Sequence, residues 1–362
     1  MLLNFRITNF RSINEMVELS MIPSDLKNPV NRIIKTNPNA TKNKDYYGLT
    51  SAAIYGPNAS GKSNMIRALS DFRNFVNNST DNKPNDSIDL FIPFKLSKGN
   101  IKKPSCFSID LLIENVLYIY SLEVHQKEII NESLFFYPKG LKVKVFERNG
   151  QEFHKGNGYE GIFETIKQRT TENQLFLGKA AIENVEIAKS VYESITSILV
   201  LTTDLLHSEN FNKRASKFLF SGLDDGGIIL RLSKSLIQKL DTHIVNFEEK
   251  EGMIKTFHLN DDFEQIEFDF DDESSGTQRI VSFVPLVFIA LSSGSAIVVD
   301  EFERSLHPEI AQYILGLFND SEVNTKGAQF IFATHDTTLL SPENKLRRDQ
   351  INLVEKNEKG ET

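Results

Sequence analysis

Eight consecutive residues constrain this chain more than any other stretch. Gly56-Pro57-Asn58-Ala59-Ser60-Gly61-Lys62-Ser63 fit the pattern G-x-x-x-x-G-K-S without substitution. Glycines and small residues let successive backbone N–H groups turn inward, so Gly56, Asn58 and Gly61 would line a cradle for phosphate oxygens. Lys62 supplies a point charge near the β- and γ-phosphates, and the Ser63 hydroxyl is a ligand for Mg²⁺. The flanks agree. Ser51 to Tyr55 reads as a short strand, and Met65, Ile66, Leu69, Phe72, Phe75 and Val76 recur at helical spacing after the loop. A helix starting at Gly61 would aim its positive end at the anion.

A phosphate loop needs a carboxylate for the metal and a group to orient water. Ala296 to Val299 is a hydrophobic strand that ends in Asp300 and Glu301. Asp300 would hold Mg²⁺ through water, and Glu301 would act as general base. Upstream, Glu273-Ser274-Ser275-Gly276-Thr277-Gln278-Arg279 precedes a strongly apolar helical stretch. Ser274 and Gly276 would give hydroxyls and bare amides to a γ-phosphate at a helix N-terminus, or Ser274 would simply cap that helix. Phe330 to Thr334 is a second apolar strand, and His335 at its end is read as functional rather than structural. Ser305-Leu306-His307-Pro308 lies between the two, with His307 read as structural.

The rest of the chain bounds the answer. Its 362 residues suffice for two domains or one large α/β domain with an insertion. A net charge of −8 does not indicate a nucleic-acid coat, although a local basic groove stays compatible with one. The single Cys106 excludes an internal disulfide framework and fits a reducing cytoplasm. The N-terminus lacks the apolar core of a signal peptide. Ile280 to Val299 is nearly apolar, but Ser292-Ser293-Gly294-Ser295 cuts it, so a buried helix, a turn and a buried strand are expected, with no membrane span.

Periodicity divides the chain further. Residues 2–20 read as strands around a turn at Asn9 to Ser12, and alternation from Phe107 to Val124 reads as a hairpin turning at Glu114-Asn115. Ile182, Val185, Ile187, Ala188, Val191, Tyr192, Ile195 and Ile198 form one helical face; Ile229, Leu232, Leu236 and Leu240 form another. No heptad array is sustained.

In their order these motifs resemble an ABC-class ATPase head of the RecF, Rad50 and SMC kind. Asn9-Phe10-Arg11-Ser12 is similar to the N-terminal element of such heads, and the resemblance makes Arg11 a nucleotide contact. Glu273 to Gln278, Asp300 to Pro308, Thr334 to Asp336 and Arg347 to Ile351 look closest to stand-alone bacterial ATPases of abortive-infection and anti-phage systems. The implied fold is an α/β P-loop NTPase: an ABC-type head with a mixed β-sheet core, an antiparallel β subdomain and a helical insertion. Residues 1–90 and 261–362 would form the two parts of the ATPase core, 91–154 a β-rich region and 155–260 the insertion. ATP and Mg²⁺ are the implied ligands. With one phosphate loop and one signature-like loop per chain, a head-to-tail homodimer would sandwich two ATPs and control a separate effector, a nuclease or toxin. A RecF- or Rad50-like role on DNA, a transporter's nucleotide-binding subunit and a non-hydrolysing scaffold are the rival readings. Two departures stand out. No glutamine is evident for the usual sensing loop, sought near Pro93-Phe94-Lys95-Leu96, and related chains continue beyond Ile351 to Lys356, so the sequence reads as a short form or lacks a C-terminal segment.

Overall fold

A computed structural model describes residues 1–25, 33–35, 47–206, 228–240, 243–250, 253–302, 308–340 and 346–362. His307 and the preceding Ser305-Leu306 lie outside them. Along the chain run β1 (Leu2–Thr8), β2 (Val17–Ser20), β3 (Ile33–Lys35), β4 (Tyr47–Leu49), β5 (Ser51–Tyr55) and α1 (Lys62–Asn78). Then follow β6 (Ser105–Ile113), β7 (Val116–His125), β8 (Glu128–Tyr137), β9 (Val143–Asn149) and β10 (Glu152–Lys155). Three helices, α2 (Phe163–Gln168), α3 (Phe176–Ile182) and α4 (Glu186–Thr196), lead to β11 (Leu199–Leu201) and α5 (Thr203–Leu206). After α6 (Ile228–Leu240) come β12 (Asn246–Lys250), β13 (Met253–Leu259), β14 (Gln265–Asp269) and α7 (Ser275–Ser293). The last elements are β15 (Ala296–Val299), α8 (Pro308–Asn319), β16 (Gln329–Ala333) and β17 (Ile351–Leu353).

The organising element is a parallel sheet of order β11-β15-β16-β5-β17. Its central strands β15, β16 and β5 are buried at every position because both faces are covered. Side chains alternate between two cores with the strand period of two. Ala52, Ile54, Ala296, Val298, Ile331 and Ala333 face the core that includes α1, whereas Ala53, Tyr55, Ile297, Val299, Phe330 and Phe332 face the core that includes α7 and α8. Helix α7, long and apolar enough to cross a membrane, is mostly buried in that second core. It continues through Pro285 and ends at Gly294, whose φ of 72° suits a glycine cap.

An antiparallel sheet of order β10-β9-β8-β7-β6-β1-β2 packs on the α1 side. The N-terminal strand joins it next to β6, where Arg6 grips Asp110 through both terminal nitrogens at 2.9 Å. A fully buried trio ties the sheet to α3: Glu132 accepts from the backbone N–H groups of Phe176 and Leu177 and from Tyr120, with Arg148 at 3.6 Å. The helical face expected over 182–198 divides in two. Asn184 adopts a φ of 57°, closing α3 before α4 begins, and Ile182 is left 62% exposed. Within the span expected as a helical insertion, β12 and β13 pair antiparallel and β14 joins them.

Candidate functional site

Strand β5 is buried at all its positions and delivers the chain into the Gly56–Gly61 loop at the end of the parallel sheet. Packing dictates both glycines. A Cβ at Gly56 would lie 2.1 Å from the Val354 carbonyl oxygen, because Val354 donates its N–H to Tyr55 at 2.7 Å and lies against the loop. Gly61, the residue before α1, has a φ of 114°, a left-handed conformation that favours glycine. Asn58 is exposed at the loop tip. Ser60 is buried with its hydroxyl unpartnered, a polar atom enclosed in the loop itself.

Lys62 is only 6% exposed and folds back over the loop, donating to Gly56 O at 2.8 Å and Pro57 O at 3.2 Å. Its ammonium also stands 3.4 Å from His335 Nδ1. Parallel pairing of β16 with β5 brings that histidine in from 273 residues away, and the Thr334 N–H extends the pairing to Ile54 O at 3.1 Å. Tyr55 Oη donates to Asp336 O at 3.1 Å, so the residue after His335 is anchored while the imidazole stays exposed.

Ser63 Oγ donates to Asp300 Oδ1 at 3.2 Å, and Thr203 Oγ1 donates to Asp300 Oδ2 at 3.2 Å. Asp300 is 1% exposed. Burial pushes its carboxyl above the usual range, and the hydrogen bonds from Ser63 and Thr203 pull it back toward the ionised form. The next residue, Glu301, takes a φ of 49°. Its neighbours explain that turn: Asp300 is buried at the end of the interior strand β15, and Phe302 is buried against Phe283, Phe330 and Phe332. Glu301 is half-buried and close enough to Asp300 for its charge to act on that carboxyl.

A buried cation folded over the Gly56–Gly61 loop, beside a hydroxyl that meets a buried carboxylate, suits a polyphosphate with Mg²⁺. The oxygen donors are hard and convergent, as Mg²⁺ requires, and few enough to leave phosphate oxygens and waters in its shell. Ser63 and Asp300 would hold the ion, which would supply charge neutralisation at the β- and γ-phosphates.

Not every expected site residue reaches this cluster. Arg11, in a turn where it has a φ of 52°, reaches along α1 to Asp71, with Nη2 3.5 Å from Oδ2. Asp71 lies nine residues beyond Lys62, about 13 Å along the helix. It is Ser12 that approaches the loop, accepting from Asn64 Nδ2 at 2.7 Å and meeting Thr362 Oγ1 at 2.6 Å. The Pro93–Leu96 stretch packs on the same turn, Phe94 donating its N–H to Asn9 Oδ1 at 3.0 Å. Strand β11 flanks β15 on the side away from β16, and the residue beyond it that touches the Asp300 carboxylate is Thr203. Sequence reasoning missed Thr203, although Leu199 to Leu201 followed by Thr202-Thr203-Asp204 repeats the apolar-strand-then-oxygen-donor pattern of 297–301.

The Ser274–Gly276 loop is built on other elements. Glu273 is held by His258 Nε2 at 2.6 Å and by the Thr256 hydroxyl, both on β13, and Gln278 Nε2 donates back to Glu273 O at 3.1 Å. Ser274 caps α7, accepting from the Thr277 N–H at 3.2 Å. Ser274 and Ser275 are nonetheless exposed, and a Cβ at Gly276 would meet no described atom closer than Ser274 Oγ at 3.8 Å.

Residues 51–341 match the protein-family profile described as "AAA domain, putative AbiEii toxin, Type IV TA system". Among solved structures the chain is similar to the SMC head domain from Thermotoga maritima, at 14% identity over 95% of this chain and 91% of that one, with a TM-score of 0.37. It is also similar to an SmcHead bound to the C-winged helix domain of ScpA, at 13% identity over 97% and 95%, TM-score 0.45. A third is an Smc head domain with an extended coiled coil bound to the C-terminal domain of ScpA derived from Pyrococcus furiosus, at 11% over 95% and 91%, TM-score 0.43. No curated protein matches the chain. The family match spans the Gly56–Ser63 loop, Asp300–Glu301 and His335 together, and the chain belongs to this AAA-domain family.

Proposed function

We propose that this chain is an Mg²⁺-dependent ATPase whose two copies close head to tail on shared nucleotides. Gly56, Asn58, Gly61 and Lys62 of one copy cradle the phosphates, Ser63 and Asp300 hold Mg²⁺, Glu301 activates water and His335 reports the γ-phosphate. Ser274 and Gly276 of the second copy complete the site. The observation that carries this reading is the open helix start at Gly276. A Cβ at Gly276 would meet no described atom closer than Ser274 Oγ at 3.8 Å, so among the described residues nothing fills the space beside that helix start. We read that open space as room for a second molecule at the helix start.

ATP would then act as a ligand of the dimer alone, favouring it by mass action, and hydrolysis would release it. The family description, with its toxin and toxin–antitoxin terms, supports a role in bacterial defence in which closure controls a separate effector protein. The cytoplasm is the compartment that fits, and Arg11 would join the nucleotide only by leaving Asp71.

The test is Glu301→Gln with Mg-ATP in sedimentation velocity, alongside phosphate release by the unaltered protein. The variant should accumulate as a species of twice the monomer mass, and the unaltered protein should release phosphate. A variant that stays monomeric with saturating ATP removes the sandwich, and an unaltered protein that releases no phosphate removes the ATPase.

A further inference from the structure

The parallel register of β11 on β15 sets Leu201 opposite Val299, and Asp300 donates its N–H to Leu201 O at 2.9 Å. The chain beyond Leu201 therefore runs beside the carboxylate rather than past it. Thr203 uses this to place its hydroxyl on Asp300 Oδ2 at 3.2 Å, while Ser63 occupies Oδ1 at the same distance. A carboxylate so gripped has a fixed plane. Among the described residues each oxygen has one protein donor, and each has a second lone pair for water or an ion. Asp204, the following residue, is tied to Arg67 on α1 at 2.8 Å, so the segment that carries Thr203 is clipped to the same helix that begins with Lys62 and Ser63.

We propose that Thr203 is a positioning residue of the metal site, orienting Asp300 from the side opposite Ser63 so that Mg²⁺ and its waters meet a pre-set carboxylate. It acts through Asp300 and touches neither nucleotide nor reacting atoms. This rests on reading the Gly56–Ser63 loop as an Mg-nucleotide site. Partners that orient a metal's ligands characteristically change metal affinity by roughly 10- to 100-fold when removed. A role confined to packing would change nucleotide binding with or without the ion.

The experiment measures binding of a fluorescent, slowly hydrolysed ATP analogue, first in EDTA and then across a Mg²⁺ titration. It compares the unaltered protein with Thr203→Val, which keeps the shape and loses the hydroxyl, and Thr203→Ser, which keeps the hydroxyl. The valine variant should bind the analogue in EDTA as the unaltered protein does and need at least about tenfold more Mg²⁺ to reach its tight-binding state. The serine variant should need no more Mg²⁺ than the unaltered protein. Overturning results are an unchanged Mg²⁺ requirement in Thr203→Val, equal losses in both variants, or a valine variant weakened equally with and without the ion. An unaltered protein that fails to bind the analogue at all would instead overturn the nucleotide reading itself, and this proposal with it.

Discussion

Two loops of this molecule sit at helix starts and carry glycine for opposite reasons. At Gly56 the protein's own backbone fills the place of a side chain, the Val354 carbonyl lying 2.1 Å from where a Cβ would go. At Gly276 no described atom comes closer to that place than 3.8 Å. The first loop is clamped by β5, β17 and α1 and encloses a buried lysine; the second stands on the β12–β14 sheet with its serines exposed. A loop determined from within holds its shape before any ligand arrives. A loop that is capped but uncovered has bare amides to offer to a second molecule.

The widest gap between the two should come from alanine at each glycine. Gly56→Ala must displace Val354 or the loop, and overpacking of this kind costs about 3 kcal/mol. Urea unfolding should show that loss, together with loss of nucleotide binding. An unperturbed midpoint would mean that β17 is not held against the loop as described.

Much of the first loop was legible because its signals are local. A strand, eight loop residues and an amphipathic helix follow one another directly, and Asp300-Glu301 announces itself by ending an apolar run. What joined them was less legible. His335 reaches Lys62 and Thr203 reaches Asp300 only through parallel pairings between segments far apart in sequence. Likewise, nothing local to Asn9–Ser12 says that Arg11 will turn to Asp71 while Ser12 takes the place beside the loop. The break at Asn184 escaped the apolar periodicity because that pattern continues across the turn.

An intermediate effect is expected at Asp300. Its folded carboxyl titrates above its unfolded value because burial disfavours the charge. The native state therefore bears a cost that is absent below the unfolded value, about 3.9, and is fully present above the raised folded value. Asp300→Asn should raise the urea midpoint at pH 7, with the gain fading as pH falls through the carboxylate range. A destabilised variant at pH 7 would mean that the hydrogen bonds from Ser63 and Thr203 outweigh the burial.

The smallest effect on stability, and the sharpest on assembly, belongs to Gly276→Ala. With room for the methyl group, unfolding should be unchanged or improved by up to about 1 kcal/mol, while the ATP-bound dimer trapped by Glu301→Gln should be lost from the double variant. A double variant that still dimerises with ATP would place the contact elsewhere and make the two glycines alike in having no external purpose.

The turn at Glu301 has a wider consequence. A φ of 49° is disfavoured for a residue with a Cβ, by roughly 1–2 kcal/mol, and glycine or asparagine would relieve it. Any drift of this gene toward a hardier protein therefore has an easy first step that discards the carboxylate. On the proposed role of Glu301 in activating water, robustness and turnover are then set against each other at a single codon.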